Sequence, residues 1–218
     1  MISRLYRNRA DAGEVLAGEL REYAHRPEVL VLALPRGGVP VGYQVARALH
    51  APLDVFLVRK LGVPGREELA MGAVATGGVR VLNEQVVQHL SIPRSVIDLV
   101  AAEELDELER QASLYRGDRP PPDLRGRTVI LVDDGLATGS TMLAAARAVR
   151  QQRPQRILIA APVAAPETCE FLREEADEVV CPVTPDPFHA VGLWYEDFSQ
   201  TTDDEVRELL ARGARQRG

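Results

Sequence analysis

Residues 128–141, TVILVDDGLATGST, carry the reading around which the rest of the chain is organised. Five residues, mostly β-branched and continuous rather than alternating, suit a strand buried on both faces of a parallel sheet. The strand ends on two adjacent carboxylates, Asp133 and Asp134. The loop that follows is built of small residues and hydroxyls, Ala137, Thr138, Gly139, Ser140 and Thr141, and opens an amphipathic stretch with Leu143, Ala146 and Val149 on one stripe. A helix N-terminus with free N–H groups, glycine for close approach and Ser/Thr hydroxyls is a cradle for phosphate. Carboxylates just upstream accept hydrogen bonds from sugar hydroxyls or hold a hydrated cation. A phosphate and a diol side by side mean a sugar phosphate. A receiver-type acidic cluster, or a capped helix behind an ordinary loop, is the competing reading of the same spacing.

Outward from this stretch, similar apolar runs at 29–34, 53–58 and 157–163, with a fifth at 178–181, read as further parallel strands. Amphipathic stretches at 40–49, 140–152 and 166–176 alternate with them, so the expected fold is α/β, a parallel sheet flanked by helices with right-handed crossovers. The segment between the second and third strands is too long for a simple crossover. It is expected to hold a hairpin, 70–75 and 79–82 about Thr76, Gly77 and Gly78, and a long polar helix over 93–115 that stops before Pro120, Pro121 and Pro122. The charge run Glu103, Glu104, Asp106, Glu107 and Glu109 reads as a solvated face of that helix. Both ends, 5–23 and 203–212, read as helices, with Asp203 as an N-cap.

The 218 residues, 45% hydrophobic and 27% charged, are those of a folded chain with a core. The expectation is a single domain over 1–218, with a core at about 26–186, an insertion at about 61–122 and a small hood from 1–25 and 187–218. A net charge of −6 argues against sequence-independent nucleic-acid binding as the main activity. Cys169 and Cys181 form no metal spacing or disulfide framework and suit buried thiols in a reducing compartment. No apolar run approaches the ~20 residues needed to span a bilayer, and residues 1–10 lack a signal-peptide core, so no membrane contact is expected and the cytoplasm is the expected location.

In an open parallel sheet, ligands bind at the carboxyl ends of the strands. Two further loops stand there. Arg36, Gly37 and Gly38 follow the first strand; the glycines expose backbone N–H groups and Arg36 offers a fork to phosphate oxygens, although a plain strand-to-helix turn explains the glycines equally well. Arg59 and Lys60 follow the second. Of 26 basic residues 25 are Arg, so an ammonium kept at a strand end points to a compact charge that a planar fork cannot imitate.

The 128–141 run closely resembles the signature of type I phosphoribosyltransferases, in which an apolar strand is followed by two acidic residues, small residues and Thr-Gly-x-Thr. The resemblance implies that Asp133 and Asp134 contact the ribose hydroxyls of phosphoribosyl diphosphate and that Ala137, Thr138, Gly139, Ser140 and Thr141 bind its 5-phosphate. It implies a diphosphate-binding role for Arg36, Gly37, Gly38, Arg59 and Lys60, with Asp133, Asp134 and Lys60 serving catalysis, and a mobile flap after Lys60. It also implies Mg²⁺ as cofactor, held mainly by the donor with no direct protein ligand. The sequence KLGVPGREELAMGAV at 60–74 resembles a bacterial subgroup of phosphoribosyltransferase-like proteins of unassigned acceptor. One departure is Ala137, where 6-oxopurine enzymes of the family carry an Asp; this favours adenine, orotate or uracil over hypoxanthine or guanine. The expected function is therefore a phosphoribosyltransferase acting on a nucleobase, with a non-catalytic sensor of phosphoribosyl diphosphate as the alternative and a homodimer as an option.

Four of the ten aromatic residues cluster late, at Phe188, Trp194, Tyr195 and Phe198. Packing of the final helix accounts for such a cluster; a platform for a flat base, with Asp197 or Glu196 at its edge, is the functional reading of Phe188, Trp194, Tyr195 and Asp197. There is no G-x-x-x-x-G-K-[ST], no G-x-G-x-x-G after a strand and no G-x-S-x-G, and His25, His50, His89 and His189 show no metal spacing.

Overall fold

The computed structural model describes residues 5–215. Its strands in chain order are β1 Val29–Ala33, β2 Leu53–Val55, β3 Val58–Val63, β4 Arg66–Ala75, β5 Val79–Leu82, β6 Thr128–Val132, β7 Arg156–Ala160 and β8 Glu178–Val180. The helices are α1 Arg9–Glu19, α2 Gly38–Leu49, α3 Glu84–His89, α4 Arg94–Arg116, α5 Ser140–Gln151, α6 Pro166–Leu172 and α7 Asp203–Arg215. Five strands form a parallel sheet in the order β2-β1-β6-β7-β8, and β3-β4-β5 form a separate antiparallel sheet.

Alternation along the central strands explains why the apolar runs are continuous. Leu30, Leu32, Val129, Leu131, Ile157 and Ile159 pack on one face with α5 and α6 residues such as Met142, Val149 and Leu172. Val29, Val31, Ile130, Val132, Leu158 and Ala160 pack on the other with Leu16 and Leu20 from the α1 side and Val41 and Val45 of α2. Helices therefore cover both faces, as expected for a parallel sheet. The register aligns Ala33 with Val132 and Val132 with Ala160, so the loops after β1, β6 and β7 leave the sheet side by side.

Several boundaries differ from the expectations. The run 53–58 is not one strand: it leaves the parallel sheet after Val55, and Val58 begins the second sheet. Thr76 holds this change of direction, donating its backbone N–H to Leu57 O (2.9 Å) and accepting the Leu57 N–H on Oγ1 (2.8 Å). Lys60 consequently lies within β3 rather than in a loop, because Leu61 and Val63 alternate inward while Lys60 faces out. The hairpin β4–β5 forms as expected, but β4 starts earlier, at Arg66. The strand expected over 157–163 ends at Ala160, and the helix expected over 166–176 ends at Leu172. The cap of α7 is Thr202, whose Oγ1 accepts the Glu205 N–H (3.1 Å); Asp203 is the first helical residue instead.

The long helix α4 buries Ile97, Ala101, Leu108 and Tyr115, and leaves Glu103, Asp106 and Glu109 exposed. Its last residue, Arg116, is buried against β2: Nε donates to Asp54 Oδ1 at 2.9 Å, and a second nitrogen donates to Val55 O. Among the described residues no helix is long and apolar enough to cross a membrane.

Candidate active site

The acidic pair stands where β6 leaves the sheet. The Asp134 N–H donates to Asp133 Oδ1 at 2.8 Å, and Asp134 Oδ2 accepts from Arg9 Nε at 2.7 Å. Burial pushes the Asp133 carboxyl well above the usual carboxylate range, and the charge of Asp134 adds to the effect. Burial raises Asp134 as well, opposed by Arg9. Among the described residues, no other residue donates a hydrogen bond to Asp133 Oδ2 or Asp134 Oδ1. Two adjacent carboxylates, each with one committed and one uncommitted oxygen, are suited to a ligand with two neighbouring O–H groups.

The glycines after β1 are explained by this pair. A Cβ on Gly37 would lie 2.0 Å from Asp134 Oδ2, and one on Gly38 would lie 2.7 Å from Val132 O and 3.0 Å from Asp133 Cα. Only glycine lets the first loop close against the second. Arg36, in the same loop, is partly exposed, and its ion pair with Asp203 is a loose 3.8 Å.

The third loop opens α5. Gly139 adopts φ +67°, and the methyl of Thr168 packs against it, 2.7 Å from where a Cβ would stand. Thr168 Oγ1 also donates to Ala137 O at 2.5 Å, so α6 braces this loop from behind. Ala137, Thr138, Ser140 and Thr141 are exposed, and the Thr138 and Ser140 hydroxyls are 2.8 Å apart. The result is a helix N-terminus open to solvent, with two hydroxyls converging in front of it.

The basic residues of β3 diverge. Arg59 is paired with Glu104 of α4 at 2.6 Å. Lys60, on the opposite side of the strand, is exposed and has no ion pair among the described residues. It shares a cavity of about 240 Å³ with Ser140, Asn83 and Arg147. The structure thus brings Lys60, but not Arg59, to the side of the α5 N-terminus.

The late aromatics form a small core. Tyr195 is 6% exposed, stacks obliquely on Tyr6 and Phe198, and donates its O–H to Asp134 O at 2.5 Å. Phe188 and Trp194 pack partly buried against the same cluster. Asp197 is exposed and accepts the Ser199 N–H at 2.9 Å. In this arrangement Tyr195 supports the acidic pair from below rather than presenting an open face. Sequence reasoning misses Arg9, Thr168 and Asp203 as site residues, because each reaches the site from a distant element; Arg9 and Asp134 are 125 positions apart.

The phosphoribosyl transferase domain family matches residues 64–197. A Mycobacterium tuberculosis H37Rv protein provisionally named a phosphoribosyl transferase is 45% identical over 212 residues, 97% of this chain and 48% of that protein. The chain therefore spans about half the length of the curated relatives it matches. The crystal structure of TT1426 from Thermus thermophilus is 44% identical and superposes with a TM-score of 0.85, covering 95% of this chain and 98% of that one. The purine phosphoribosyltransferase of Pyrococcus horikoshii Ot3, 20% identical, shares the fold with a TM-score of 0.50 over 91% of this chain and 98% of that one. With the strand, the acidic pair and the loop before α5 in the order that the resemblance required, the chain belongs to the phosphoribosyl transferase domain family.

Proposed function

We propose that the chain transfers a phosphoribosyl group from phosphoribosyl diphosphate to a ring nitrogen of a nucleobase and releases pyrophosphate. The observation that carries the proposal is the convergence at one sheet edge of a carboxylate pair, the close-packed Gly37–Gly38 turn and the open N-terminus of α5. In this reading the N–H groups and hydroxyls of 137–141 take the 5-phosphate, Asp133 and Asp134 take the ribose hydroxyls, and Arg36 and Lys60 face the diphosphate.

The bond from C1 to the diphosphate oxygen breaks with its electron pair leaving on the pyrophosphate, the bond from C1 to nitrogen forms, and the nucleobase N–H proton passes to solvent or to the released pyrophosphate. Positive charge develops on the ribose as it does so. Asp133 and Asp134 stabilise that charge, and Arg36 and Lys60 stabilise the departing diphosphate. Two neighbouring carboxylates, one already held by Arg9, make no cage, and among the described residues no three His, Cys, Asp or Glu side chains gather as one. That donor set suits Mg²⁺ held mainly by the diphosphate, where it would supply further neutralising charge beside Arg36 and Lys60.

The test is pyrophosphate release with the donor, Mg²⁺ and a panel of adenine, uracil, orotate, xanthine, guanine and hypoxanthine. Release with adenine, uracil or orotate is expected, since Ala137 provides no proton-transfer group for a 6-oxopurine. Donor binding without release from any base would replace the reading with that of a sensor, which Ala137 also permits.

A further inference from the structure

We infer that Arg9 is a positioning residue of the donor site: its guanidinium pins one oxygen of Asp134, so that the other is presented to the donor's diol. The inference rests on the reading of the acidic pair given above. Arg9 is the first residue of α1 and reaches the pair from outside the sheet. Its Nε donates to Asp134 Oδ2 at 2.7 Å, its Nη1 donates to Ser199 O at 2.6 Å, and its guanidinium carbon lies 4.0 Å from the centre of the Phe198 ring. Three contacts from two segments, Asp134 after β6 and residues 198–199, fix both the position and the plane of the fork.

This ion pair differs from the others. Its side chains are 12% and 14% exposed, and among the described residues only Arg116–Asp54 is comparably buried. Arg116 secures a helix to a strand, whereas Arg9 is attached to the group that the proposed chemistry needs. Oδ2 of Asp134 is enclosed on one side by the backbone of Gly37, where a Cβ would come within 2.0 Å, and is held by Arg9. Asp134 Oδ1 remains, as does Oδ2 of the neighbouring Asp133. The charged and titratable groups around this point are Asp133, Arg9, Tyr195 and Tyr6, with Asp197 nearby in the hood. Arg9 is the sole cation among them, and it stabilises a pair of adjacent carboxylates whose mutual repulsion and burial oppose ionisation.

Arg9 also joins the start of the chain and the segment 198–199 to the sheet edge. A lysine could supply the charge but could not donate from Nε and Nη1 together or lie flat on Phe198.

The test is a double-mutant cycle in donor affinity, measured by calorimetry with phosphoribosyl diphosphate and Mg²⁺ on the wild type, Arg9→Gln, Asp134→Asn and the double variant. Arg9→Gln is expected to weaken binding on the order of tenfold to a hundredfold, the worth of a hydrogen bond to a charged group. In the Asp134→Asn background the same change is expected to cost nothing further, a result that a merely structural role would not give. Wild-type affinity in Arg9→Gln, or an equal loss in both backgrounds, overturns the inference. Melting curves check folding; if Arg9→Gln does not fold, Arg9→Lys takes its place, with partial recovery expected and full wild-type affinity overturning the idea. A wild type that binds no donor defeats the proposed function itself, and this inference with it.

Discussion

Every residue of β1 and β6 is buried, whereas β4 begins with four exposed residues, Arg66, Glu67, Glu68 and Leu69, and β5 is only half-buried throughout. The first pair of strands carries the Gly37–Gly38 turn and the acidic pair. The second sheet carries Lys60. One half of the candidate site is therefore built on a strand pair sandwiched between helices, where displacing a backbone costs packing on both faces. The other half stands on a three-stranded sheet whose second strand starts with an exposed end, Arg66 to Leu69, the kind of segment that opens locally at low cost. In the proposed function, the parts that must be preorganised rest on the first, and the charge that would approach a bound ligand rests on the second.

Substitutions should separate the two halves. The largest effect is expected at the glycines. Gly38→Ala pushes a methyl into Val132 O and should cost about 1–3 kcal/mol of stability, and Gly37→Ala should lower donor affinity about a hundredfold or more by displacing Asp134 and exposing its buried charge. Thermal melts and calorimetry measure the two losses, and unchanged values for both would remove the distinction between the halves. Lys60→Arg is expected to reduce kcat about tenfold while leaving the melting temperature unchanged. A fully active variant would show that any cation suffices on β3.

The smallest effect has an informative sign. The folded-state pKa of Asp133 is raised by burial and by Asp134, so the folded state binds more protons than the unfolded one between the unfolded value of about 3.9 and the raised value. The stability associated with this group is present below that window and is lost as pH rises through it. Asp133→Asn, which can still accept the Asp134 N–H, should therefore raise the melting temperature at pH 7, by about 2–4 °C for each kcal/mol regained, while weakening donor binding. A lower melting temperature at pH 7 than the wild type would contradict the role assigned to burial.

What can be read from the sequence follows the same division. The strands at β1, β6 and β7 are legible because burial on both faces leaves a continuous apolar signature, and the loops after β1 and β6 because residue chemistry there is dense. The break between β2 and β3 is not, since the apolar run LDVFLV is the same whether one sheet receives it or two. Lys60 reads as a loop residue for that reason. The glycines look like an ordinary turn because their necessity lies in Asp134 and Val132, about a hundred residues away. Arg9 stands out from the other arginines in no way that composition or spacing could reveal; only the closure of α1 over the sheet edge brings it to Asp134.

If the carboxylate pair after β6 receives the donor's ribose, removing both charges must remove donor binding. Calorimetry of phosphoribosyl diphosphate with Mg²⁺ against the wild type and against Asp133→Asn combined with Asp134→Asn makes that comparison. Saturable binding to the wild type and none detectable to the double variant is expected; equal affinity for both would contradict the assignment of the pair to the ribose.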